Sequence, residues 1–145
     1  MISINPYLNF MGNTAEAMNF YKSVFGVDFT AFHRFNESPG HEKMPKHEQH
    51  LVMHASLPMG KHNALMATDT LESMGMVLTM GNNFHLSVNT ESEGETERYF
   101  NALAEGGKIH MPLNQTFWGA YCGMCVDRFG IHWMISYNKQ NNENH

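Results

Sequence analysis

One pattern runs through this chain twice, and it constrains the fold more than any other feature. Leu8 registers with Leu86 by a shift of 78, while Phe20, Tyr21 and Val24 register with Tyr99, Phe100 and Leu103 by a shift of 79. One residue of slack between strand and helix reconciles the two shifts. Residues 2–10 alternate, with Ile2, Ile4, Pro6, Leu8 and Phe10 on one face and Ser3, Asn5, Tyr7 and Asn9 on the other, which predicts a half-buried strand. Asn13 or Thr14 caps a helix in which Ala17, Phe20, Tyr21, Val24 and Phe25 recur at helical spacing, and Gly26 ends it. Strands are expected at 27–35, 50–57 and 63–68, with a polar loop at 36–48. The second half repeats the order: a strand at 84–88, a helix at 94–105 stopped by Gly106 and Gly107, and strands at 108–113, 119–126 and 131–137.

Each half therefore reads βαβββ, and the fold class is α+β. Duplicated βαβββ modules at about 2–68 and 83–137, joined by a linker at 69–82, form one domain over 1–138, and the polar tail 139–145 is expected to be disordered. Two four-stranded sheets set edge to edge close into a curved mixed sheet with helices on the convex side and a ligand cleft on the concave side. Strand parity assigns the lining: Asn5, Tyr7 and Asn9, then Asn83, His85 and Ser87, then His132, Met134 and Ser136.

Composition excludes several functions. The chain has 145 residues and a net charge of −5 without a Lys/Arg cluster, so nucleic acid is not an expected partner. No apolar run reaches membrane-spanning length and no secretory signal pattern opens the chain, so no membrane is expected. Two cysteines in a chain long enough to bury roughly 68–70% of its unfolded surface fit a reducing cytoplasm. Cys122 and Cys125 form a CxxC pattern, but they fall in a strand where side chains three apart face opposite ways, so they are read as buried thiols.

The segments Pro6-Tyr7-Leu8-Asn9-Phe10, Ala17 through Gly26 and Leu103-Ala104-Glu105-Gly106-Gly107-Lys108 carry a resemblance. The pair Thr116-Phe117-Trp118-Gly119 and Val126-Asp127-Arg128-Phe129-Gly130-Ile131-His132-Trp133-Met134 carries it more restrictively. Over roughly residues 4–137 the chain resembles the vicinal oxygen chelate superfamily, the glyoxalase/bleomycin-resistance/dioxygenase fold, and within it the PhnB-like branch. The resemblance implies a homodimer and a ligand-sized cleft. Metal-dependent members place a ligand on the first and last strand of each half, typically His or Glu. Those positions hold Asn5, Met66, Asn83 and Met134 here, and two amides with two thioethers do not suit a divalent Lewis acid. No metal or other cofactor is therefore expected.

The expected function is binding of a small organic ligand by Asn5, Tyr7, His54, Met66, Asn83, His85, Trp118, Tyr121 and Met134. Catalytic residues are not assigned. One alternative is a metal-dependent lyase, dioxygenase or thiol-transferase with a displaced divalent metal on His54, His85 and a carboxylate such as Asp69. Another is a non-catalytic sequestering protein that binds a toxic aromatic compound, with Tyr7, Trp118 and Tyr121 as its wall. PhnB-like sequences have often carried a methyltransferase label; the chain contains no GxG turn of the kind that holds S-adenosylmethionine.

Overall fold

Leu8 and Phe10 put two buried apolar side chains on one face of a short strand, the face on which the core of the first half lies. The computed structural model describes residues 1–139, within which the chain divides into two units between Thr79 and Met80. In the first unit β1 (Tyr7–Phe10), α1 (Thr14–Phe25), β2 (Ala31–Arg34), the single turn α2 (Lys46–Gln49), β3 (Val52–Met59) and β4 (Asn63–Asp69) follow one another. The sheet order is β1-β4-β3-β2, with β1 parallel to β4 and the other pairs antiparallel. Helix α1 packs on β3 and β4. It buries Ala17, Met18 and Tyr21 against Leu8, Phe10, Leu57, Leu65 and Ala67. Gly26 closes it in the left-handed region at φ 65°, its N–H donating to the Lys22 carbonyl at 2.9 Å.

The second unit repeats the plan with β5 (Leu86–Asn89), α3 (Glu93–Ala104), β6 (Lys108–Gln115), β7 (Ala120–Val126) and β8 (His132–Asn138). Its order is β5-β8-β7-β6, again with a parallel first pair. Helix α3 packs on β6, β7 and β8, enclosing Phe100, Leu103, Cys125, Trp133 and Ile135. The helix comes so close to β7 that a Cβ on Gly123 would lie 2.8 Å from the Phe100 ring, and only glycine fits there.

The duplicated βαβββ reading matches this architecture, with differences at the edges. The predicted first strand runs from residue 2, yet Ile2 and Ile4 are 90% and 84% exposed. The register Tyr7↔Met66 would set Ile4 opposite Asn63, the first residue of β4, and earlier residues opposite the β3–β4 turn, where no partner strand remains. Asn5 instead accepts the Ala64 N–H through its side-chain oxygen at 2.8 Å. The polar loop at 36–48 contains two 3-10 turns at Phe35–Glu37 and His41–Lys43. Of the predicted linker, Asp69 ends β4, and Glu72–Met74 forms a turn whose Ser73 donates its N–H and hydroxyl to buried Glu48. Those bonds hold the Glu48 carboxyl below the usual carboxylate range. The tail expected to be disordered lies, beyond Lys139, outside the described residues.

Helix α1 starts on a carboxylate that lies far away in sequence. Asn13 occupies the N-cap position without a side-chain cap bond. Asp69, at the end of β4, takes the role: its Oδ1 accepts from the Gly12 and Thr14 N–H groups at 2.9 and 3.1 Å and from the Thr14 hydroxyl at 2.8 Å. Its Oδ2 accepts the Val52 N–H at 2.8 Å, fixing the start of β3. Asp69→Asn turns one acceptor into a donor facing N–H groups, and is expected to cost about 2–4 kcal/mol. Urea unfolding at constant m-value measures this; an unchanged midpoint would show that the carboxylate does not organise the unit.

Candidate functional site

Strand parity sorts each sheet into a helix-packed face and a helix-free face. In the first unit Tyr7, Met66 and Ser56 lie in one cross-strand row of the helix-free face, with His33 opposite His54 further along. The Tyr7 hydroxyl reaches across β4 to His54 Nδ1 at 3.1 Å, and the two rings stack with centroids 5.7 Å apart. Tyr7 is 45% exposed, so the pair is open to a ligand. Three predicted site residues, Tyr7, His54 and Met66, are thus brought together. Asn5 is tied instead to the Ala64 backbone.

In the second unit the same face presents a row of imidazoles. His132 on β8 stands between His85, with ring centroids 5.4 Å apart, and His110 on β6, at 5.5 Å. The Nδ1 atom of His132 is buried without a hydrogen-bond partner. Burial, followed by the neighbouring His85 and His110, pushes the His132 imidazolium below its ordinary range, while Asp127 opposes them. Sheet register makes His132, rather than Met134, the counterpart of Met66, since Tyr7↔Met66 and Leu86↔Trp133 fix the alignment of the halves. His110 escaped the sequence reading because it lies in an irregular stretch of the β6–β7 register between Ile109 and Met111, where period-two counting fails.

The remaining predicted residues disperse. Tyr121 is on the helix-packed side, donating its hydroxyl to Glu97 of α3 at 3.0 Å, so it does not share a wall with Tyr7. Trp118 stands at the tip of the β6–β7 hairpin, 57% exposed and edge-on to Phe117 at 5.0 Å. Asn83 is exposed ahead of β5. Asp69 does not belong to a displaced metal set, because four donors already occupy both of its oxygens. Among the described residues no three His, Cys, Asp or Glu side chains are grouped to hold a metal ion. A concavity of about 420 Å³ at the end of α1 is lined by Asn19, Lys22, Ser23, Gly26, Val27 and Asp28; it includes none of the predicted residues.

The restrictive motif around Asp127 builds structure. Asp127 Oδ1 accepts the Phe129 and Ile131 N–H groups at 2.8 and 3.1 Å, and Oδ2 accepts the buried Trp133 indole N–H at 2.8 Å. One carboxylate therefore shapes the β7–β8 turn and satisfies the largest buried side chain of the unit. Cys122 and Cys125 are free buried thiols, as read from the strand pattern. Burial and the Asp127 charge push Cys125 up to about 11.

With this geometry established, comparison places the chain among known proteins. The family model for 3-demethylubiquinone-9 3-methyltransferase, the family that includes PhnB, matches residues 2–136. The chain belongs to this family. It is 31% identical to Protein YjdN of Escherichia coli K12, over 94% of this chain and 96% of that one. Protein PA1353 from Pseudomonas aeruginosa superposes with a TM-score of 0.83 at 40% identity, covering 95% of this chain and 98% of that one. A PhnB protein from Bacillus cereus gives 0.74 at 28%, covering 94% and 99%. A glyoxalase-related enzyme from Fulvimarina pelagi, at 19% identity and TM-score 0.64 over 95% and 88%, shares the fold. Among the described residues no helix is long and apolar enough to cross a membrane.

Two outcomes follow from the titrating groups. His132 has a depressed folded value, so its stability contribution is complete above the unfolded value of about 6.5 and is lost as pH falls below it. Unfolding free energy measured between pH 5 and 7.5 should decline toward acid, and His132→Gln should flatten that decline; an identical slope would contradict it. Cys125 should react with a thiol reagent at pH 8 at the rate of global unfolding, and burst labelling of native protein would contradict its burial.

Proposed function

We propose that this PhnB-family chain binds a small organic ligand on the helix-free face of its first unit, without the superfamily's usual divalent metal. The observation that carries the reading is the Tyr7–His54 hydrogen bond on an open sheet face beside Met66. A phenol and an imidazole that share one proton offer both a donor and an acceptor to a ligand's oxygen or nitrogen. The Met66 thioether supplies an adaptable apolar wall. Methyl transfer, which the family's name carries, has less support, since both sheets are mixed β1-β4-β3-β2-type sheets rather than a parallel doubly wound sheet with a cofactor at its switch point.

The protein is proposed to act in a reducing cytoplasm, as its free thiols favour, and as a two-fold homodimer. The edge strand β1 supports the second point: its four residues carry no charge, and an uncharged edge invites pairing.

A thermal-shift panel of small carbonyl, thiol-conjugate and aromatic compounds tests the reading. A binder at 100 times its dissociation constant adds about 2.7 kcal/mol to stability. The wild-type chain should respond to a compound in the panel, and Tyr7→Phe or His54→Gln should remove the response. A response equal in both variants would overturn the assignment. Product formation would mark an enzyme, and saturable binding without product a sequestering protein. Light scattering at micromolar concentration should return about twice the 16.6 kDa chain mass; the monomer mass would refute the dimer.

A further inference from the structure

The helix-free face of the second unit carries a second row of side chains beside the histidines. Met111 on β6 is paired across to Met124 on β7, and Met124 to Met134 on β8. Directly paired residues hold their Cβ atoms about 4.5–5.5 Å apart on one face, so the three thioethers form a continuous strip across three strands. All three are half-buried. His132 lies two residues from Met134 on the same strand and the same face, which sets the imidazole row next to the methionine row. Three soft thioethers and three borderline imidazoles thus share one sheet face.

We propose that this face is a binding site for monovalent copper, with His132, Met134 and Met124 as its central donors and His85 or His110 completing it. Thioether donors select Cu(I) over harder divalent ions, while imidazole suits copper in general. The histidine spacing agrees: two imidazoles whose nitrogens each lie about 2.1 Å from one tetrahedral ion have ring centres roughly 5 Å apart, against the 5.4 and 5.5 Å observed. The buried Nδ1 of His132 lacks a hydrogen-bond partner among the described residues, and an unpaired buried nitrogen is costly unless something binds it. Of the two thiols, Cys125 pairs with Trp133 on the helix-packed side, away from this strip, whereas Cys122 pairs with Ser136 on the same face as Met124, two residues along β7. The ion is assigned to the thioethers and imidazoles, and the Cys122→Ser/Cys125→Ser variant tests that choice. The site is independent of the organic-ligand reading, which stands on Tyr7 and His54 of the first unit.

The test titrates the full chain anaerobically with Cu(I) in competition with a coloured chelator such as bicinchoninate. One Cu(I) per chain should be withheld from the chelator. The Met124→Leu/Met134→Leu variant preserves side-chain volume and should keep its melting temperature. It should bind more weakly by at least about tenfold, since loss of even an outer-shell partner costs about 10–100-fold; His132→Gln should do the same. Cys122→Ser/Cys125→Ser and Tyr7→Phe should retain wild-type affinity. X-ray absorption at the copper edge should show mixed sulfur and nitrogen ligation that loses its sulfur component in the methionine variant. No retained Cu(I), retention abolished only by the cysteine variant, or ligation without sulfur would each overturn the proposal.

Discussion

A buried carboxylate with no ion-pair partner among the described residues organises the first unit. Asp69 draws its compensation from three backbone N–H groups and one hydroxyl, and those donors come from the end of β1, the start of α1 and the start of β3. Removing a charge from water is tolerated when every lone pair is met. Because these donors belong to three different elements, the carboxylate can be satisfied only when all three are in place. Asp127 solves a related problem in the second unit, tying a tight turn to the Trp133 indole. Both carboxylates are committed to the helix-packed cores, leaving the chemistry of each unit to the opposite face.

The two helix-free faces have diverged in content while keeping one register. Where the first unit has Tyr7 and Met66, the second has His85 and His132. The first therefore presents a hydrogen-bonded polar pair, and the second a field of imidazoles beside a strip of thioethers. A duplicated scaffold permits this, because side chains on the free face do not contribute to the packing that holds helix to sheet, and a fold does not dictate the site grafted on it.

Much of this was legible in the sequence. The repeat of Leu8 in Leu86 and of Phe20-Tyr21 in Tyr99-Phe100 identified both helices and the strands before them, because period-two and period-3.6 burial leave direct marks. The core residues Leu8, Phe10, Ala17 and Tyr21 follow from it. Legibility failed where a partner decides the outcome. Ile2 and Ile4 continue the alternation perfectly, yet no strand is there to receive them. Asp69 looked like an available carboxylate, because its donors at Gly12 and Thr14 lie more than fifty residues away in the chain and the one at Val52 lies on another strand. Tyr121 reads as an aromatic near the open face, but the strand presents it to Glu97 of α3. His110 and Met111 depend on a register shift that alternation cannot reveal. The Met124–Met134 pair was recoverable in principle by pairing β7 and β8 about their short turn.

The central claim is that ligand recognition belongs to the helix-free face of the first unit, around Tyr7, His54 and Met66. Methyl-resolved NMR of the full chain with labelled methionines tests it most directly, because the 13 methionines place probes on both faces of the sheets. During titration with a compound that binds saturably, the Met66 methyl should shift with occupancy while Met18, buried behind α1, stays fixed. A silent Met66 at saturation, with shifts confined to Met18 and its neighbours, would contradict the account.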